Sequence, residues 1–237
     1  MQTIAPSASV RRVLRLDAHA GECAPAYPAL FATFYDHGMT PLLDVRALAS
    51  RSDVLEAVRE SESTVAIMSA STALRAIASG LRAGIVCAAV APVDFAAIDL
   101  EPPVPWDRVG LGLRHLAPRA VLVASRAVLS RRPDDVREAI AAYWRGAVHA
   151  TEAPALLGVV LATELGVSLE EADRVARRAV SAWRLDPAVR VGGLHMVAAA
   201  LRSRRELPTD FECESALDER FVVAERVRSP RRAEACP

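Results

Sequence analysis

Lysine and asparagine are absent from the 237 residues, so all 29 basic side chains are arginine. Catalysis through a lysine Schiff base is thereby excluded. Anions must be met by Arg, Ser, Thr, His or backbone N–H groups. Net charge is missing too, because 29 Asp and Glu balance the arginines. A chain with no net field neither concentrates polyanions nor is drawn to an acidic membrane. Neither nucleic acid nor a membrane is expected as a partner. No stretch approaches the roughly 20 charge-free apolar residues of a membrane span. The opening MQTIAPSASVRRVLRL lacks the apolar run and small-residue cleavage site of a secretory signal, so a cytoplasmic location is expected. Cysteine is scarce: Cys23, Cys87, Cys213 and Cys236 form neither a CxxC pair nor a disulfide framework. Reduced thiols are expected, with no zinc site. His37, His115, His149 and His195 show no metal-ligand spacing, and no cofactor is implied.

Apolar residues, in contrast, make up 52% of the chain, enough for one principal α/β domain. Val13–Ala18 reads as a short strand, followed by a helix whose Tyr27, Leu30, Phe31 and Phe34 share one face. Pro25 and Pro28 suit its opening turn and Gly38 its end. Leu42–Leu48 is a second strand, and Asp53 with Glu56 reads as the cap of the next helix, which carries Val54, Leu55 and Val58. Thr64–Met68 and Ile85–Val90 are apolar throughout, as buried central strands are. Between them lies a helix capped by Ser71 and ended by Gly80.

From Ala91 the pattern changes, with Pro92, Pro102, Pro103 and Pro105 and no helical period. Val121–Ala124 is a fifth strand. Beyond it helices are expected to open at Pro133-Asp134-Asp135, at the capping box Ser168 and Glu171, and at Asp186-Pro187. The Arg-rich end, 226–237, reads as a disordered tail.

Strands alternating with helices imply a parallel sheet, and such sheets bind ligands outside the carboxyl ends of their strands. Three segments fall there: His19-Ala20-Gly21-Glu22-Cys23, Ser69-Ala70-Ser71-Thr72, and Pro92-Val93-Asp94. The first two run into helix N-termini, whose N–H groups and dipole favour carboxylates, sulfonates, sulfinates or phosphates. The expected ligand contacts are His19, Gly21, Glu22, Cys23, Tyr27, Ser69, Ser71, Thr72 and Asp94. Each Ser or Thr has the plainer reading of a cap, and Cys23 that of a small filler. A thiol at a helix N-terminus also has a stabilised thiolate, so Cys23 with His19 as base is the alternative of a nucleophilic enzyme. The residues leave open whether the chain is an enzyme.

The order GECAPAYPALFATFYDHGMTPLLDVRAL, then LEAVRESESTVAIMSASTALRAIASGLRAGIVCAAVAP, resembles the first lobe of the nitrate/sulfonate/taurine substrate-binding proteins, relatives of the thiamine-pyrimidine synthases. The stretch from PRAVLVASRAVL through LDERFV is similar to that family's returning strand and closing helices. The resemblance covers residues 12–91 and 118–224, and rests on element order rather than a catalytic signature. It implies the type 2 periplasmic-binding-protein fold: a mainly parallel five-stranded sheet flanked by helices, with a helical C-terminal half. Residues 92–119 stand where a whole second lobe is inserted in the family, so 1–225 is expected to be a single ligand-binding lobe. Thr64 stands where the family usually has an acidic residue.

The resemblance implies a small-molecule binding protein. It also admits an enzyme of the desulfinase kind, since Cys23 is placed like the active cysteine of an aromatic sulfinate desulfinase, or a protein-interaction module. A lone lobe exposes its cleft face, so a homodimer is expected to supply the other wall.

Overall fold

The computed structural model describes residues 14–19, 26–35, 43–60, 64–90, 118–189 and 191–221. Five strands form one sheet: β1 (Leu14–His19), β2 (Leu43–Leu48), β3 (Thr64–Ser69), β4 (Ala83–Ala88) and β5 (Ala120–Ser125). Their order is β2-β1-β3-β5-β4. β1 pairs in parallel with both β2 and β3, whereas β5 runs antiparallel to β3 and to β4. The sheet is therefore mixed, and the expectation of a mainly parallel sheet needs that one correction. Its cause is local. Ala70 N–H donates to Arg119 O and Ala89 N–H to Ala120 O, both at 2.9 Å. These bonds fix the start of β5 at the carboxyl ends of β3 and β4, so β5 must run back between them.

Every residue of β4 and β5 is buried, as expected where helices cover both faces of a sheet. On one face Leu16, Ala18, Val65, Ile67, Cys87, Leu122 and Ala124 join a core. It is covered by α1 (Tyr27–Tyr35), α5 (Pro133–Glu152), α6 (Pro154–Leu165) and α7 (Leu169–Ala182). On the other face Ala66, Met68, Ile85, Val121 and Val123 meet α2 (Arg51–Glu60), α3 (Ala70–Ala78) and α8 (Val191–Ser203). The short α4 (Arg126–Arg131) follows β5 directly. α1 and α5 approach so closely that a Cβ on Gly146 falls 2.1 Å from Pro28 O. Glycine at that position is a packing requirement.

Helix boundaries follow the caps, with three differences from expectation. Ser50 caps α2: Ser50 Oγ accepts from Asp53 N–H at 3.1 Å while Asp53 Oδ2 accepts from Ser50 N–H at 3.0 Å. Asp53 is thus the third residue of a capping box and not the cap itself. Ser69, not Ser71, caps α3, because β3 runs through Ser69 and the strand turns directly into helix there. Asp186-Pro187 opens no helix; Asp186 Oδ1 accepts from Ala188 N–H at 3.0 Å, a local bond that competes with helix formation, and α8 starts at Val191. Pro133 does open α5, Ser168 does cap α7, and Gly80 with φ 95° does end α3. No single described helix is long and apolar enough to cross a membrane; α5 and α6 pass that test only as a pair bent by 115°. Residues 226–237 and the proline-rich 91–117 lie outside the described residues.

Candidate functional site

At the carboxyl end of β3 three hydroxyls converge. Ser69 Oγ accepts from Thr72 N–H at 3.1 Å, lies 2.8 Å from Thr72 Oγ1, to which it donates, and lies 3.0 Å from Ser71 Oγ. Thr72 is buried, and Ser69 and Ser71 are half-buried. The first turn of α3 is largely committed: the Ala70 amide goes to Arg119 O and the Thr72 amide to Ser69 Oγ. The Ser71 amide has no partner among the described residues, so it is what this helix end offers an acceptor.

Arg119 was not expected from sequence. It is half-buried, and its carbonyl bond to Ala70 sets it beside the α3 N-terminus. Its signal was weak because it stands among the many arginines that replace lysine throughout the chain. Tyr143 of α5 reaches the same end of the sheet, its hydroxyl accepting from Val90 N–H at 3.0 Å. Burial pushes the Tyr143 phenol well above its ordinary value, so it stays protonated.

The remaining expected residues divide. His19 is the last residue of β1, its Cα opposite Leu48 of β2, which puts its backbone at the carboxyl end of the sheet. Gly21, Glu22, Cys23 and Asp94 lie outside the described residues, and so does the thiol on which the nucleophilic alternative rests. Tyr27 belongs to the core, only 8% exposed. It packs as part of α1 and leaves little surface for a ligand.

A second group of side chains has no counterpart in the sequence pattern. His195 of α8 meets Cys213 and Glu214, which lie in the 3-10 turn Cys213–Ala216. His195 Nε2 is 2.6 Å from Glu214 Oε1, and Cys213 Sγ is 3.4 Å from His195 Nδ1 and 3.5 Å from Glu214 Oε2. Burial, then the Glu214 charge, pushes the Cys213 thiol up to about 11. A fully buried thiol held protonated at neutral pH is no nucleophile. Glu214 is held below the ordinary carboxylate range by backbone hydrogen bonding and then by His195.

No family model matches the chain, and no curated protein matches it. Solved structures do. The ligand-binding component of an ABC-type import system from Staphylococcus aureus, solved with zinc bound, superposes with TM-score 0.63 at 7% identity, covering 90% of this chain and 98% of that one. An ABC transporter structure from Parabacteroides distasonis gives 0.55 at 11% identity over 89% and 98%. A protein from Bordetella bronchiseptica RB50 gives 0.60 at 13% identity over 92% and 98%. The chain therefore shares the fold of these ligand-binding components, and at such identities the likeness is one of fold alone.

Proposed function

We propose that this protein binds a small organic anion at the carboxyl ends of β1 and β3, in the manner of a substrate-binding protein reduced to one lobe. The observation that carries this reading is the Ser71 amide at the α3 N-terminus, which has no partner among the described residues, beside Arg119. A helix end with an unpaired donor and a neighbouring arginine favours a carboxylate, sulfonate or phosphate over a neutral group. The fold of ABC-importer ligand-binding components supports a small molecule as the cargo.

A single shelf buries less of a ligand than binding sites ordinarily do. The chain leaves β4 and returns to β5 at this same end, so a second copy of the protein docked there would supply the other wall. A two-fold dimer is the arrangement we favour. Light scattering at micromolar concentration is expected to show a dimer, and a strictly monomeric particle with and without ligand rules it out.

The ligand reading is tested by calorimetric titration with aliphatic and aromatic carboxylates and sulfonates alongside their neutral amides. The acid of a binding pair should be tighter by about 1 kcal/mol, or roughly fivefold. Equal affinities remove the anion argument, and silence across the panel removes the binding site.

A further inference from the structure

The cluster of His195, Cys213 and Glu214 stands apart from the Ser69–Thr72 site, on the face of the sheet covered by α3 and α8. Its geometry points to a metal site. We propose that Cys213 Sγ, His195 Nδ1 and Glu214 Oε2 bind one zinc-class divalent cation, with a fourth position open to water or an exogenous ligand.

The distances suit such a site. In a tetrahedral zinc site with ordinary bond lengths, sulfur stands about 3.5 Å from a neighbouring nitrogen or oxygen ligand. The observed separations from Cys213 Sγ are 3.4 Å to His195 Nδ1 and 3.5 Å to Glu214 Oε2, and the candidate ligand atoms of all three side chains lie within 4.8 Å of one another. Glu214 Oε1 also lies 2.6 Å from His195 Nε2; this hydrogen bond keeps the two side chains together and gives way when both turn onto the cation.

Burial divides the roles. Cys213 is fully buried, while His195 and Glu214 are about half exposed, at 50% and 48%. The cation thus enters from solvent between the two polar groups and meets sulfur at the bottom. As the Sγ–metal bond forms, Cys213 releases its thiol proton to solvent. A thiolate, an imidazole and one carboxylate are a borderline-soft donor set, which selects zinc over magnesium or calcium.

Binding also has a structural effect. Leu217, just after the turn, bridges Ile85 of β4, and Asp218 N–H donates to Ile85 O at 2.9 Å. A cation joining α8 to this turn pins the segment that covers the β4 edge.

The test uses the full chain, stripped with chelator and titrated with zinc and with cobalt. A background variant with Cys23→Ser and Cys236→Ser removes two other candidates for thiolate binding. The expected results are one equivalent of zinc bound, a rise in melting temperature, and a thiolate-to-cobalt charge-transfer band that Cys213→Ser abolishes. His195→Gln, at a half-exposed position that leaves folding intact, is expected to weaken zinc by at least tenfold. Glu214→Gln should weaken it as well. Zinc affinity unchanged in His195→Gln, a charge-transfer band that survives Cys213→Ser, or no cobalt–thiolate band in the background protein each overturns the proposal. Because His195→Gln is read by affinity, the test stands even where Cys213→Ser does not fold.

Discussion

The hydroxyl of Tyr143 accepts a hydrogen bond from the Val90 amide at 3.0 Å, in a fully buried setting where α5 meets the exit of β4. Replacing Tyr143 by Phe keeps the packing but strands a buried N–H, which costs about 1–3 kcal/mol. Denaturant titration checks this, and an unchanged midpoint rejects it.

The burial of Tyr143 sets an alkaline limit. Burial raises the folded-state value of the phenol above the ordinary 10.0, so the unfolded chain loses this proton first. The stabilisation is whole below pH 10 and is lost as pH climbs from there toward the folded-state value. Unfolding curves measured on either side of pH 10 should show wild type losing stability with a steeper slope than Tyr143→Phe. Parallel slopes would mean that Tyr143 is not the responsible group.

Glycines separate packing from propensity. Gly146→Ala gains up to about 1 kcal/mol of helix propensity but drives its Cβ against Pro28 O. The backbone clash wins, and a net loss on the order of 1–3 kcal/mol is expected. Gly192→Ala meets nothing within 4 Å and should be neutral or slightly stabilising. Paired melting curves distinguish the two, and equal shifts would show that α1 and α5 do not touch at Gly146.

Ser69 and Ser71 predict opposite responses. Ser69→Ala removes the α3 cap and should cost about 1 kcal/mol, whereas Ser71→Ala should stay within roughly 0.5 kcal/mol. Reversal of that order, read by denaturation, would return the cap to Ser71.

Asp218 is buried between Arg220, whose Nε and Nη2 donate at 2.8 and 2.7 Å, and Arg126, whose Nη1 donates at 3.3 Å. The Arg220 hydrogen bonds hold its carboxyl below the usual range. That contribution is present above the ordinary value of 3.8 and disappears as pH falls through the folded-state value. Arg220 is more than half exposed, so solvent screening keeps the loss in Arg220→Ala small at neutral pH. The gap from wild type should close in acid, and a gap constant with pH argues against the carboxylate.

All five strands were legible because apolar runs bounded by breaks survive any arrangement of the sheet. The direction of β5 was not. Its residues are buried on both faces, and a continuous apolar run reads the same in either sense. Ser69 was hidden as a cap by the neighbouring Ser71, a choice that depends on where β3 stops. Asp186-Pro187 carried a helix signal that a local side-chain bond overrode. His195 and Cys213 are 18 positions apart and lie on different elements, so only the packing of α8 on the turn brings them together. For Gly21, Glu22, Cys23 and Asp94, which lie outside the described residues, the comparison cannot be made.

The place of β5 also dictates an order of assembly. β3 and β4 follow one another along the chain, yet neither touches the other; each hydrogen-bonds to a strand made more than thirty residues after β4. The opposite edge of β4 waits longer still, for Leu217 and Asp218. A growing chain that ends before Ala120 therefore carries β4 with both edges bare, the most aggregation-prone moment in its synthesis. Completion of the sheet is a late, non-local event, and such closures slow folding through the entropy of the loop that must first be ordered.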